Sequence, residues 1–525
     1  SRATSFTWTI LEAEYTTPPD AINILSDSTY VYDPASPLTL TWPTLGSGVW
    51  ILVMRGTSSI SDVLPVDRTA YTAGETVSGC LVICAARVSE ISDLSLDSDG
   101  TYYYRAFAYD KYYNYASGGA EQSVTVYRDA VYVHFDGDDG NPGTSGAPKR
   151  TIQAGIDTAA AVGGLYEVRV AGSASPSTEN YGTADPGTPL AELSSGISLY
   201  GGYSPTDWSE SARDPSVTES RLYTSGSLAG DGCIVHTQFL TSSVTIDGFT
   251  IEGADLSEAG FTSGIYVEDS AEGVSVTISD CDIVGGSNLG TVGTTAGIRA
   301  YDSQVTISGN RRIWGGRSSS GTAAGIHSTG SNSVITVTGN DTGTDCIGTA
   351  ECTGGSCYGI YIESGSGHLV ENSAIRIVRT GGTGSGPQAI HLQNADAVVR
   401  NCRIECLVGD DAGTALYAAG TVADTVTVYN NHIVCRVEYG GDGGSTAGVA
   451  MDTLSFELYN NNIISGPCGE STSTAMGINI LAFGGTTAVG NNNIICPGTY
   501  GASRTAIAEQ ADDGRSEEHT SELQS

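Results

Sequence analysis

Residues 389–437 read AIHLQNADAVVRNCRIECLVGDDAGTALYAAGTVADTVTVYNNHIVCRV. Two registers recur inside this stretch. Asn401 with Ile404 and Cys406 returns as Asn430 with Ile433 and Cys435, and the pair Ile390-His391 returns as Leu416-Tyr417. Followed outward in both directions, the polar residue gives a column of Gly248, Asp280, Asn310, Asn340, Asn372, Asn401, Asn430, Asn460 and Asn491, with neighbours 29 to 32 residues apart. Three positions further on stand Ile251, Ile283, Ile313, Ile375, Ile404, Ile433, Ile463 and Ile494; the Asn340 coil is the exception, with Gly343. A second column, each member preceded by Gly or Ala, reads Ile265, Ile298, Ile326, Ile360, Ile390, Leu416, Val449, Ile478 and Ile507.

A unit of about 30 residues built from short β-branched runs and glycine turns cannot bury its apolar side alone, so the units must stack and their columns must form one core. Successive strands then pair in parallel about 4.8 Å apart, and the crossover rule makes the winding right-handed. Asparagine suits the turns: it tolerates left-handed backbone angles, and stacked amides can hydrogen-bond from coil to coil. The combination resembles the right-handed parallel β-helix of the pectin-lyase-like superfamily over residues 130–514. Residues 131–164, VYVHFDGDDGNPGTSGAPKRTIQAGIDTAAAVGG, supply the start, with a short helix near residues 151–161 whose Ile152 and Ile156 form an apolar stripe suited to closing an open core. With VRVAG (168–172) and SLYGGYSPTDW (198–208), this run resembles the opening segment of a bacterial family of secreted β-helix proteins. That resemblance implies fold and an extracellular place and names no reaction.

Residues 20–127 carry a different pattern, short alternating strands between turn signals. Leu38, Leu40 and Trp42 share a face of LTLTWP, WILVMR (50–55) is more continuously apolar, and in TYYYRAFAYD (101–110) Tyr102, Tyr104, Ala106 and Ala108 oppose Tyr103, Arg105, Phe107 and Tyr109, one of the two faces being core. A tryptophan strand followed by a tyrosine-rich strand resembles a fibronectin type III module, which implies a spacer or adhesive unit. The expected fold is therefore all-β: a fibronectin type III-like sandwich (20–127), a cap helix and first coils (128–243), then repeated coils of a right-handed parallel β-helix (244–514). Residues 1–19 read as the end of a preceding domain or a linker. RSEEHTSELQS (515–525) resembles the translation of a sequencing adapter and is set aside. The last coil runs into that tail without a cap, so a longer natural chain is expected.

The chain has 525 residues, 39% of them hydrophobic, enough to bury a long core. No apolar run approaches the roughly 18 residues of a membrane span. With 23 basic against 59 acidic residues the net charge is −36, a field that repels phosphate backbones and anionic lipid, so neither nucleic acid nor a membrane surface is an expected partner. The 12 cysteines contain no CxxC pair, and their clustering favours an oxidising compartment; the chain is expected to be secreted or displayed at the cell surface. Cys80 and Cys84 favour a bridge over two buried thiols. Cys346, Cys352 and Cys357 share a loop and should hold one bridge, and Cys406 and Cys435 should be stacked neighbours, as a disulfide or as two thiols.

Three features bear on function. The residue after each aliphatic member of the second column must point outward, because strand side chains alternate. It reads Tyr266, Arg299, His327, Tyr361, His391 and Tyr417 over six consecutive coils, a strip of roughly 24 Å that offers rings to sugar faces and donors to hydroxyls or uronate carboxylates. Tyrosine and histidine also suit exposed strands for structural reasons alone. The turn Asp136-Gly137-Asp138-Asp139-Gly140-Asn141 has oxygen donors for a structural calcium at Asp136, Asp138, Asp139 and Asn141, but it lacks the spacing of an EF-hand and is also ordinary turn composition. Asp410-Asp411 and His368 are the remnants a glycoside-cleaving β-helix would offer; they stand in the wrong order, and a lone DD in a glycine-rich loop is usually a solvated turn. No catalytic residue is assigned. The sequence thus points to a display rod contacting a polysaccharide or a cell-surface protein, with a lyase or hydrolase of acidic polysaccharide as the alternative.

Overall fold

A computed structural model describes residues 17–32, 37–96, 98–174, 181–183, 187–287, 293–318, 321–340, 347–349, 351–352, 355–379, 386–409, 412–437, 445–452, 455–466, 474–482, 487–496 and 503–509. They fall into two compact units: one up to Tyr132 with Gly137–Lys149 and Ala161–Leu165, and one of Val133–Asp136, Arg150–Ala160 and everything from Tyr166 on. Among the described residues no helix is long and apolar enough to cross a membrane.

The first unit pairs strands Trp50–Gly56, Cys80–Ala86, Gly100–Tyr109 and Gln122–Tyr127 in one mainly antiparallel sheet, while Leu38–Thr41 pairs with Glu90–Asp93 in a second. Leu38, Leu40, Trp42, Ile51, Val53, Tyr102 and Tyr104 pack together into a core. Inside it Asp93 is satisfied by Arg55 at 2.8 Å and by the Tyr104 hydroxyl at 2.9 Å. The tyrosine strand departs from the expectation of a single core face. Phe107 and Tyr109 build a second cluster with Leu52, Met54, Ile60 and Val77, so both sides of the strand are covered.

Cys80 and Cys84 are free and buried, contrary to the bridge expected from their spacing. They lie on one extended strand, where four residues span roughly 13 Å. A register shift, with Val53 opposite Cys84 but Met54 opposite Val82, also sends Cys80 to one cluster and Cys84 to the other.

The second unit is a right-handed parallel β-helix built on three long sheets, and among the described residues the strands of successive coils pair in parallel. One sheet carries Leu199, Ile246, Ile278, Ile307, Val337, Val370, Val399, Val428 and Leu458 in register, a core column with no counterpart in the sequence reading. The second carries the isoleucines that follow the polar turn, and the third the aliphatic column. Ile298, Ile326 and Ile360 are stacked and fully buried. The glycines ahead of that column permit close approach of the backbone: a Cβ on Gly325 would lie 2.7 Å from the Gly359 carbonyl oxygen and 2.9 Å from that of Gly348.

Two details of the repeat differ from the expected columns. In the exceptional coil the core slot is not left to Gly343: Ile347 pairs with Ile313 on one side and Ile375 on the other. The asparagine column splits into two. Left-handed angles fall at Gly248, Asp280, Gly309, Gly339, Asn372, Asn401, Asn430, Asn460 and Asn491, so Asn310 and Asn340 stand one residue past the turn position. The hydrogen-bonded ladder lies at that following position. Cys281 N–H donates to Asn310 Oδ1 at 3.0 Å, and Asn310 N–H to Asn340 Oδ1 at 2.9 Å. Cys402 N–H likewise donates to Asn431 Oδ1 at 2.9 Å, Asn431 N–H to Asn461 Oδ1 at 3.0 Å, and Asn461 N–H to Asn492 Oδ1 at 2.9 Å. Turning requires a residue that accepts positive φ, whereas the ladder requires an inward amide; two adjacent residues divide the work.

The helix occupies Ile152–Val162 with Ile152, Gly155, Ile156 and Ala159 buried, and Thr151 Oγ1 accepts the Ala154 N–H at 3.2 Å as its cap. Gln153 reaches from this helix to strand Ala191–Leu193, the edge of the third sheet. Its Oε1 accepts the Glu192 N–H at 2.8 Å and its Nε2 donates to the Glu192 carbonyl at 3.4 Å, so one amide stands where a neighbouring strand would be. Cys406 and Cys435 are in register, both free and buried: the thiol-stack alternative. Cys357 is disulfide-bonded, and Cys346 lies outside the described residues.

Candidate functional site

Outward residues of the third sheet align in one register, His236, Tyr266, Arg299, His327, Tyr361, His391 and Tyr417. All six residues predicted for the strip are brought together, and His236 extends it by one coil. Val235-His236 carries the same aliphatic-then-outward pair one coil ahead of the column that begins at Ile265.

The expected exposure is not uniform. His327 is 5% and His391 9% exposed, because the strip's rings cover one another. His236 stacks on Tyr266 at 5.4 Å, and the Arg299 guanidinium lies 4.6 Å over Tyr266 and 3.9 Å over Phe261. His327 lies parallel to Tyr361 at 4.9 Å, and Tyr361, His391 and Tyr417 follow edge to face at 4.8 and 5.0 Å. Tyr358 packs on both Tyr361 and His391 at 4.5 and 5.2 Å. Most ring faces along the middle of the strip are thus occupied by neighbouring rings. What remains on offer is a row of ring edges and hydroxyls.

Two carboxylates flank this row, each two residues beyond a strip tyrosine and so on the same face. Glu268 meets His236 Nε2 at 3.2 Å, and burial together with the Glu268 charge pushes the Tyr266 hydroxyl up to about 12. Glu363 lies 3.4 Å from His327 Nε2, and that hydrogen bond holds its carboxyl below the ordinary range. Burial brings His391 down to about 4, so the ring is neutral at physiological pH. Among the described residues, Arg299 Nε and His327 Nδ1 are buried without a hydrogen-bond partner. Strand alternation would have found Glu268 and Glu363; Tyr358 had no repeating signal.

Past the paired residues Glu268 and Tyr301 the chain turns, and there Asp269, Ser270, Glu272, Asp302, Gln304, Asn332 and neighbouring residues line an open polar groove of about 570 Å³. Asp269 and Asp302 hold left-handed angles at this corner, with φ of 47° and 42°.

The remaining predicted sites behave differently. Asp138 Oδ1 accepts the Gly140 N–H at 2.8 Å, Asn141 Nδ2 donates to the Pro148 carbonyl at 3.0 Å, and Lys149 Nζ donates to the Asp139 carbonyl at 2.9 Å, which is the bonding of a closed turn. Among the described residues no group of three or more His, Cys, Asp or Glu gathers to hold a metal ion, so the calcium expectation for Asp136, Asp138, Asp139 and Asn141 is not carried further. Asp410 and Asp411 lie outside the described residues. His368 is buried; its Nδ1 accepts the Ile335 N–H at 3.1 Å while its Nε2 faces the Ser364 carbonyl at 3.0 Å, a histidine that braces the backbone.

The fold and strip define a β-helix with a polar ring ladder along one sheet. No family model matches the chain, and no curated protein does. Among solved structures, similarity is found to the Streptococcus pneumoniae surface protein and adhesin PfbA, with 13% identity and a TM-score of 0.35 over 68% of this chain and 95% of that one. The enzymatically active domain of bacteriophage CBA120 tailspike protein 2 gives 13% identity and 0.32, over 74% and 53%. A Yersinia enterocolitica family 28 exopolygalacturonase gives 12% and 0.22, over 94% and 99%. At these values the likeness concerns coil architecture and carries no argument about chemistry.

Proposed function

We propose that this chain is a rigid β-helical rod of the bacterial cell exterior whose ring strip contacts a hydroxyl-rich polysaccharide without cleaving it, preceded by a fibronectin type III-like spacer. The observation that carries the reading is the unbroken register from His236 to Tyr417, which lines up the half-buried tyrosines Tyr266, Tyr361 and Tyr417 beside the carboxylates Glu268 and Glu363. Tyrosine hydroxyls, which donate and accept, and carboxylates, which accept, suit sugar hydroxyls. The net charge of −36, the two flanking carboxylates and a neutral His391 favour an uncharged glycan over a uronate polymer. Within the strip, Glu268 and Glu363 belong to coils three steps apart, roughly 14 Å, beyond the 5–9.5 Å of glycoside-cleaving pairs, so these two carboxylates do not act as such a pair.

The test is a panel of neutral and uronate polysaccharides, followed by affinity electrophoresis and by assay for new reducing or unsaturated ends. The expected result is retardation by a neutral polymer with no new ends. Tyr361→Phe combined with Tyr417→Phe, which keeps the rings and removes two hydroxyls, should weaken that retardation about tenfold. Release of new ends that stops in Arg299→Ala or His327→Ala would replace this reading with an enzymatic one.

A further inference from the structure

The strip contains one arginine, and that arginine has no anion. Among the described residues Arg299 makes neither a hydrogen bond nor an ion pair, and its Nε is buried without a partner. Arginines on the other two long sheets are paired: Arg221 with Glu252, Arg312 with Asp282 and Arg400 with Glu371 each meet at 2.6 Å. In a chain with 59 acidic against 23 basic residues, a guanidinium left without a carboxylate stands out. Two rings hold it instead, Phe261 at 3.9 Å and Tyr266, the residue it faces across one coil, at 4.6 Å. Rings that cover a guanidinium leave its in-plane N–H groups as what it can offer, a planar fork of donors with no acceptor supplied by the protein.

Beside the fork stands a group of opposite character. Glu268 follows Tyr266 by two residues on the same outward face and stays partly exposed while it meets His236 Nε2 at 3.2 Å. Burial raises the Tyr266 hydroxyl most, and the opposing charges of Arg299 and Glu268 both reach it, so the three side chains form one cluster. A donor-only fork and an acceptor-only carboxylate thus share one tyrosine, and this selects a ligand class. An apolar ligand would leave the fork unmet. A carboxylate or sulfate would satisfy the fork but lie against Glu268 in a field of net charge −36. Two adjacent sugar hydroxyls satisfy both: their oxygens accept from the guanidinium, and their hydrogens remain for Glu268. We infer that Arg299 is the specificity-determining residue of the strip, its fork taking an adjacent pair of hydroxyls on one neutral sugar unit. The inference rests on the glycan-rod reading and adds to it which residue selects the sugar and which feature of the sugar it reads.

The experiment is affinity electrophoresis in soluble xylan, galactomannan and dextran, with polygalacturonate as counter-probe, for wild type, Arg299→Lys and Arg299→Gln at low and high salt. Each neutral polymer is used native and after periodate oxidation and borohydride reduction, which opens adjacent diols and leaves the protein untouched. Arg299→Lys keeps the charge and loses the fork. Expected are retardation by at least one native neutral polymer, insensitive to salt, and none by polygalacturonate. Both variants, and periodate treatment with wild type, should each weaken that retardation about tenfold. The two losses should not add, so periodate treatment should cost Arg299→Gln nothing further. Wild-type retardation in both variants, or losses that add in full, would overturn the assignment to Arg299 while the rod reading stands. Wild-type retardation in Arg299→Lys alone, weakened by salt, would replace the hydroxyl pair with an anionic group. No retardation by any polymer would overturn the rod reading and the role of Arg299 together.

Discussion

At Asn431 one side chain joins three coils: its Oδ1 accepts the Cys402 N–H at 2.9 Å, its Nδ2 donates to the Val399 carbonyl at 2.9 Å, and its own N–H goes to Asn461 at 3.0 Å. Truncation leaves a donor and an acceptor unpaired where water does not reach. Asn431→Ala should therefore cost about 1–3 kcal/mol, read as a lower urea midpoint; an unchanged midpoint would show that the ladder is dispensable. His391 is a second residue with a measurable signature. Its folded value, about 4, lies below the ordinary 6.5, so between those limits the unfolded chain binds a proton that the folded chain does not. Its contribution is complete above 6.5 and is lost as pH falls toward 4, by up to about 3 kcal/mol. Glu363, held low by His327, loses its own contribution further down. His391→Gln should flatten the dependence of urea stability on pH between 6.5 and 4, and a slope equal to wild type would rule out this histidine as its source.

Among the elements, the helix Ile152–Val162 does more than lay an apolar stripe on the core. Gln153 occupies the exposed hydrogen-bonding edge of Ala191–Leu193, so Gln153→Leu should speed amide exchange at Glu192 and its neighbours while leaving strands such as Phe261–Glu268 protected. The stripe was legible because Ile152 and Ile156 recur at helical spacing; the clamp was not, since its partner lies 39 residues away. The strands divide in the same way. Ile265 to Ile478 could be aligned by eye because interior slots accept only aliphatic residues and each follows a small one. The turn column is ambiguous in sequence at Gly309-Asn310 and Gly339-Asn340, because glycine and asparagine both satisfy a left-handed turn and here the glycine holds it. The column Glu268, Tyr301, Thr329 has no shared chemistry to make it visible in sequence.

For the whole molecule, the line of the strip was readable from alternation alone, whereas its burial was not. Side chains that point away from the core were expected to meet water, yet rings spaced at the inter-strand distance shield one another and leave His327 and His391 nearly enclosed. The groove is a property of four turns brought side by side and has no sequence motif. Ile347 has a wider implication. The chain between Asn340 and Ile347 is longer than in the neighbouring coils, yet the isoleucine re-enters the slot between Ile313 and Ile375. Cross-section and contour length are thus uncoupled in this architecture. Extra residues can be spliced in between two strands while the interior column stays constant.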